Sequence, residues 1–220
     1  MSHLPGTLDR FGHFWNNRFV KQSIVALDLE GVLVPEIWIA VAEKTGIEEL
    51  RLTTREVPDY DVLMKGRLSL LDRNGLKLSD IQEVIATLKP LEGGHEFLSE
   101  LRTLTQVIIL SDTFEEFAKP LMRQLDWPMI MCHRLEVVDD RVINYRLRQS
   151  NQKQKAVAAF KSLNFHVIAA GDAFNDTAML GEANLGFLFR SPPAVQAQFP
   201  QFRALESYAD LMVLIKEALR

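Results

Sequence analysis

The run Ile24-Val-Ala-Leu-Asp-Leu-Glu-Gly-Val-Leu-Val34 is apolar except for two carboxylates and a glycine. A β-branched, apolar segment of this length reads as a strand buried on both faces, so Asp28 and Glu30 must emerge where the strand stops and a loop begins. A buried charge without a partner costs several kcal/mol, and acids at the end of a buried strand therefore mark a site with a cation, a metal or a ligand beside it. Two carboxylates at that point suggest Mg²⁺.

Beyond this strand, Pro35 and Glu36 lead into a predicted helix over Ile37–Thr45, stopped by Gly46. Residues 59–74 form a second helical pattern that ends at Gly75. A third starts with Ser79 as N-cap and Gln82 three residues on, places Ile81, Val84, Ile85 and Leu88 on one face, and stops at Pro90. Three helices with no strand between them form a module of their own, so 36–89 is read as a helical cap inserted over the C-terminal end of the first strand. From Leu91 the rhythm becomes α/β: a helix over 95–104, a strand over 106–110, and a helix from Thr113 that must kink or restart at Pro120. A hairpin follows, with strands over 129–138 and 141–149 joined at Asp139-Asp140. The remainder is a helix over 153–163, a strand over 166–170, a loop with a helix from Asn175, a strand over 185–189 and a final helix from Ser207. The fold class is α/β: a doubly wound, mostly parallel sheet with helices on both faces and an inserted helical cap. The domain division is 1–22 as an N-terminal extension, 23–35 with 90–220 as the core, and 36–89 as the cap.

Composition narrows the function classes. With 47% hydrophobic and 25% charged residues, the 220-residue chain is that of a folded globular protein. A formal charge of −4 with both signs interspersed provides no basic field for nucleic acid, so anionic substrates must rely on local charge. Cys132 is the single cysteine and cannot form an internal disulfide, which suits a reducing cytosol; Cys132-His133 alone falls far short of a zinc site. No apolar run approaches the roughly 20 residues that cross a bilayer, and the start lacks a signal-peptide pattern, so a cytoplasmic protein with no membrane partner is expected. Residues 1–22 carry Phe11, Phe14, Trp15 and Phe19 among polar groups. They suit packing on the body or contact with a second copy, which leaves a homodimer open.

Three further signals fall at the C-terminal ends of predicted strands, where doubly wound sheets place their ligands. Ser111-Asp112-Thr113 follows Val-Ile-Ile-Leu; a hydroxyl at a strand-to-helix turn donates to a phosphate oxygen, as do the N–H groups of the helix start, although these residues are also common N-caps. Gly171-Asp-Ala-Phe-Asn-Asp176 follows Val-Ile-Ala-Ala: Gly171 permits a sharp exit, and Asp172 and Asp176 can face a metal held from the first strand. Lys153 opens a helix and offers the ammonium that phosphoryl transfer needs, with Lys155 as its competitor.

Asp28-x-Glu30-Gly, Ser111, Lys153 and Gly171-Asp172-x-x-Asn175-Asp176 resemble the four ordered motifs of the haloacid dehalogenase-like superfamily of aspartyl-phosphate enzymes. Pro35-Glu-Ile-Trp38, Asp59-Tyr-Asp-Val-Leu-Met-Lys65 and Pro120-Leu-Met-Arg-Gln-Leu125 add a likeness to its phosphoserine phosphatases, above all to the phosphoserine:homoserine phosphotransferase branch. The resemblance runs from Ile24 to near the C-terminus. It implies that Asp28 is the nucleophile, and that Mg²⁺ is held by the Asp28 carboxylate, the Glu30 main-chain carbonyl and Asp172, with Asp176 helping. Ser111 and Lys153 would bind phosphoryl oxygens, and Asn175 would fix the phosphate or Lys153. The implied substrate is phosphoserine, with water or homoserine as acceptor; another small phosphate ester, or a lapsed enzyme that senses a phosphorylated ligand, are the rival readings.

Glu30 departs from the pattern, because most phosphatases of this superfamily carry aspartate there as general acid and base. The added methylene shifts the proton-handling group by about 1.5 Å. The expectation is that the longer acid favours an alcohol acceptor or slows hydrolysis. Substrate choice is expected to lie in the cap, with Glu36 for the ammonium of phosphoserine and Lys65 or Arg67 for its carboxylate.

Overall fold

The computed structural model describes residues 21–220 except 54, 55 and 58. Phe11, Phe14, Trp15 and Phe19 lie outside the described residues, and so do the readings placed on them. Seven described strands, β1 (Gln22–Leu27), β2 (Gln106–Phe114), β3 (Ile130–Val138), β4 (Arg141–Arg146), β5 (Phe165–Gly171), β6 (Leu185–Phe189) and β7 (Arg203–Leu205), form one sheet. Its order is β4-β3-β2-β1-β5-β6-β7, and only β4 runs antiparallel. The opening stretch is therefore the central strand, paired in parallel with β2 and β5.

Residues alternate sides along a strand, and β1 is apolar on both. Ile24 and Ala26 join one core with Val157, Met179 and Leu180. Val25 and Leu27 join the other with Val41, Phe97 and Leu211. Covering both faces requires helices on both sides of the sheet.

Nine α-helices lie among the described residues: α1 (Ile37–Thr45), α2 (Tyr60–Arg73), α3 (Leu78–Thr87), α4 (Gly94–Leu104), α5 (Glu115–Gln124), α6 (Gln152–Ser162), α7 (Thr177–Glu182), α8 (Pro193–Gln198) and α9 (Tyr208–Ala218). None is long and apolar enough to cross a membrane. Among the described residues between β1 and α4 the named elements are all helical, α1 to α3 with one short 3₁₀ turn at Glu48–Arg51. The stems of this segment meet, since the Leu91 N–H donates to Leu33 O at 2.9 Å.

Some local expectations give way to tertiary partners. Ser79 does not cap α3: its N–H and hydroxyl donate to Asp140 at 3.0 and 2.6 Å, while Asp80 accepts the Lys77 N–H at 2.8 Å. The hairpin turn Asp139-Asp140 has φ +49° and +65°, the left-handed pair that a two-residue turn needs, and so presents Asp140 to α3. α5 continues through Pro120. Proline removes the N–H that would bond Glu116 O, and the Gln82 side chain supplies that carbonyl with a donor at 2.8 Å. α8 and β7, of six and three residues, escaped the sequence reading because neither completes enough periods to be recognised.

Candidate active site

Asp28 extends the line of β1, its N–H donating to Ala170 O of β5 at 3.0 Å. The chain then doubles back, with the Leu33 and Val34 N–H groups donating to Leu29 O at 2.8 and 3.0 Å. Gly31 lies in this turn at φ +75°, and a Cβ there would sit 2.5 Å from Asp172 Cγ. A side chain at position 31 would thus push the Asp28 turn away from the Asp172 loop. Gly171 was expected to provide a sharp exit, but β5 runs through it and its φ is not positive. Its role is close approach, since a Cβ there would overlap the Asp176 carboxyl group.

Asp28, Asp172 and Asp176 bring carboxylate oxygens within 4.8 Å of one another. Lys153, the second residue of α6 and 3% exposed, sets Nζ 2.8 Å from Asp28 Oδ1 and 2.7 Å from Asp176 Oδ1. Lys155 points elsewhere, to Ser150 Oγ at 3.0 Å. Asp176 is fully buried and engaged at both oxygens, because Oδ2 also accepts the Asp172 and Ala173 N–H groups at 3.0 and 3.1 Å. Burial opposes the charge on Lys153, yet Asp176 and Asp28 outweigh it and hold its pKa well above the usual value. Burial and then Asp176 push Asp28 well above the carboxylate range despite Lys153. Burial, Asp176 and Glu36 push Asp172 up to about 7. Three acids facing one ammonium leave the site short of positive charge, and clustered hard oxygen donors with that deficit fit a small divalent cation.

Glu30 does not join the cluster by its side chain. Its Oε2 accepts the N–H of Ile37, the first residue of α1, at 2.8 Å. Burial, followed by the nearby Glu36, raises its pKa to about 8. Arg67 on α2 is 8% exposed, lies 4.6 Å over the Trp38 ring and donates to Leu52 O at 2.8 Å. Its Nε is buried without a hydrogen-bond partner among the described residues. Burial lowers its pKa to about 10, although Glu30, Tyr60 and Glu36 act the other way. Glu36 is exposed at the start of α1 and close enough for its charge to act on Glu30, Asp172 and Arg67. Lys65 is not brought to the site: it is 70% exposed and paired with Asp61 at 2.6 Å. One helical turn cannot present residues 65 and 67 on the same face.

Ser111, 1% exposed, lies in β2 rather than at a helix start, because the strand continues to Phe114 and α5 begins at Glu115. The register of β2 on β3 shifts between Leu110 and Phe114, so the hydroxyl sits in an irregular strand end. Asp112 accepts from Asn175 Nδ2 at 2.9 Å and Gln152 Nε2 at 3.1 Å, with Lys153 Nζ at 3.7 Å. Gln152 carries no motif that marks it for the site, and His133 stands in the sequence only beside Cys132, short of a zinc site. His133, 4% exposed, faces Asp112 at 3.6 Å. No spacing rule could find this pair, because they reach Asp112 from different elements.

A doubly wound sheet whose central strand ends in a carboxylate, faced by a buried lysine and two further acids, defines a class of α/β enzymes with a charged site at the strand ends. The chain belongs to the haloacid dehalogenase-like hydrolase family, whose pattern matches residues 22–184. It is 64% identical over 190 residues to the phosphoserine phosphatase ThrH of Pseudomonas aeruginosa, covering 86% of this chain and 93% of that one. It is 62% identical over 190 residues to a phosphoserine phosphatase of Pseudomonas syringae pv. tomato, covering 86% and 80%. Among solved structures, an apo phosphoserine phosphatase superposes with a TM-score of 0.72 at 22% identity, covering 89% of this chain and 98% of that one. A phospho-aspartyl intermediate analogue of phosphoserine phosphatase gives 0.66 at 21% identity, covering 81% and 91%. At that identity the two structures establish the shared fold.

Proposed function

We propose that this chain moves the phosphoryl group of L-phosphoserine, through Asp28, to water or to an amino-alcohol such as homoserine. The observation that carries the reading is Asp28 at the end of β1, with Lys153 Nζ 2.8 Å away and Asp172 and Asp176 in the same cluster. The identity to phosphoserine phosphatases supports the choice of substrate.

A carboxylate oxygen of Asp28 attacks phosphorus and the ester P–O bond breaks, leaving an aspartyl-phosphate and the serine alkoxide. Glu30, with a pKa of about 8, carries the proton that the alkoxide takes. Glu30 then accepts a proton from the water or alcohol whose oxygen attacks the aspartyl-phosphate, and the Asp28 carboxylate is released. Lys153 and Ser111 offset charge on the phosphoryl oxygens. Asp28, Asp172 and the Glu30 carbonyl would hold Mg²⁺, with Asp176 orienting Lys153 and the Asp172 backbone. When bound, the ion supplies positive charge at the transferring group. Arg67, with its unpaired Nε, would take the substrate carboxylate and Glu36 its ammonium. The segment 36–89 would act as a cap, with Glu36 and Arg67 on its inner side.

The test is incubation with Mg²⁺ and phosphoserine, with and without homoserine, following free phosphate and phosphohomoserine. Phosphate release alone supports a phosphatase, and phosphohomoserine adds the transferase. No turnover in either arm overturns the reading and favours a phospho-ligand sensor.

A further inference from the structure

We propose that His133 and Gln152 are positioning residues that orient Lys153 and Asn175 through Asp112, and Ser111 through a hydrogen bond from Gln152 to its carbonyl, toward the phosphoryl group. This rests on the phosphoryl-transfer reading above.

An acid beside a phosphoryl site repels the substrate unless its charge is already committed, and both Asp112 oxygens are. Oδ2 accepts the Asn175 Nδ2–H at 2.9 Å and lies 3.7 Å from Lys153 Nζ. Oδ1 accepts from Gln152 Nε2 at 3.1 Å and faces His133 Nε2 at 3.6 Å. Burial alone would raise its pKa, but Lys153, His133, Asn175 and Gln152 together hold it well below the usual range, so Asp112 stays a carboxylate.

Backbone geometry sets the polarity of the far end. The Arg148 N–H donates to His133 Nδ1 at 3.1 Å, which makes Nδ1 the acceptor and places the ring hydrogen on Nε2. Nε2–H then points toward Asp112 Oδ1 and cannot accept from Gln152, 3.2 Å away. The Gln152 amide is aligned independently: Oε1 accepts from Arg148 Nε and Nη2 at 3.2 and 3.1 Å, and Nε2 donates to Ser111 O at 2.5 Å. Gln152, 3% exposed, thus ties the Ser111 backbone to Asp112 and precedes Lys153 in α6. With Nδ2 turned to Asp112, Asn175 keeps its second Nδ2 hydrogen for a phosphoryl oxygen.

A cavity of about 430 Å³ is lined by Tyr60, Asp112, His133, Gln152, Lys153 and Asn175 among others. Water entering it could replace a truncated side chain, so substitutions that keep bulk are the sharper probes.

The experiment compares wild type with Gln152→Met, His133→Leu and His133→Gln, measuring kcat and KM for phosphoserine, affinity for inorganic phosphate by calorimetry, and Tm. Loss of an outer hydrogen-bond partner is expected to lower kcat/KM roughly 10- to 100-fold in Gln152→Met and His133→Leu, with phosphate affinity falling alongside. His133→Gln, which keeps a donor near the Nε2 position, is expected to recover most of the loss. Values for the first two variants within about twofold of wild type, or a His133→Gln variant no better than His133→Leu, overturn the proposal. The ¹⁵N shifts of His133 in the wild-type protein give a second check that needs no variant to fold: an Nε2–H tautomer is expected, and an Nδ1–H tautomer overturns the proposal. Wild-type protein without phosphoserine turnover defeats the functional reading instead, while the tautomer and phosphate affinity still test the network.

Discussion

Replacing Glu30 separates the tether that its side chain makes to α1 from the proton transfer proposed for the same carboxyl group. Glu30 Oε2 accepts the Ile37 N–H at 2.8 Å, and α1 has no side-chain cap from Glu36 and no acid in its first turn. Glu30→Asp withdraws the carboxylate by one C–C bond, about 1.5 Å, which opens the contact to roughly 4.3 Å, beyond a hydrogen bond. An uncapped helix start costs about 1 kcal/mol, equivalent to a Tm lower by roughly 2–4 °C in a protein of this size. Glu30→Gln keeps an oxygen at the same reach; it should approach the wild-type Tm only below about pH 4.5, where Glu30 is protonated in both states, and melt above the wild type at pH 7, where only the folded state keeps the proton. It carries no acidic proton, so kcat is expected to fall by about 10²–10⁴-fold. Because Glu30 holds its proton up to about pH 8 when folded but releases it near 4.5 when unfolded, it makes stability fall as pH rises across that window. Glu30→Gln removes that share of the slope. Calorimetry from pH 5 to 9, with phosphate and phosphohomoserine quantified in parallel, tests both roles. Glu30→Asp melting with the wild type and partitioning phosphoryl between water and homoserine unchanged would refute the tether and the acceptor idea; Glu30→Gln retaining turnover would refute the acid.

Gly31→Ala must accept φ +75° with its Cβ 2.5 Å from Asp172 Cγ; backbone strain of about 1–2 kcal/mol and a displaced Asp172 should lower Tm and weaken Mg²⁺ binding, measured by calorimetry. Burial and the neighbouring acids raise Asp172 to about 7 and Asp28 well above its usual range, so the proposed Mg²⁺ would displace protons as it binds. Its affinity should fall as pH drops below 7, and the Tm gained on adding Mg²⁺ should be larger at pH 8 than at pH 6; equal gains would contradict the assignment. Arg67→Ala is expected to raise KM for phosphoserine by about 10-fold or more, whereas Lys65→Ala, removing an exposed ion pair with Asp61, should stay within about twofold.

The legible parts of the chain were those fixed by local pattern. The helix Ile37–Thr45 matches its expected bounds because Gly46, at φ +73°, terminates it by backbone geometry alone. β1 and β5 were legible because strands buried on both faces tolerate almost no polar residue, which isolates Asp28 and Asp172 at their ends. Ser79 failed for the opposite reason: its capping pattern is local, but Asp140, 61 residues away, takes both its donors. The β2 boundary failed similarly, since Ser111 to Thr113 have the composition of a helix cap, yet the strand runs on through them and pairs with β3 again at Phe114, opposite His133.

Asp112 shows why position at a strand end is not enough to assign an acid. Asp28 and Asp112 both follow buried apolar runs on adjacent strands, and both lie near Lys153, at 2.8 and 3.7 Å. What separates them is where the donors fall: the Leu29 N–H and the Lys153 ammonium both meet Asp28 at Oδ1, whereas Asp112 is engaged at both oxygens. Asp112 gathers amide donors from Gln152 and Asn175 besides the ammonium, and its charge is settled. Asp28 shares the ammonium with Asp176 and faces Asp172, and its charge is not. Carboxylates short of donors seek a cation or a bond to an electrophile, while one rich in donors becomes scaffolding. The roles proposed for the attacking acid and the organising acid thus follow from the distribution of hydrogen-bond donors, which depends on strand order and on α6 delivering Gln152 and Lys153 side by side.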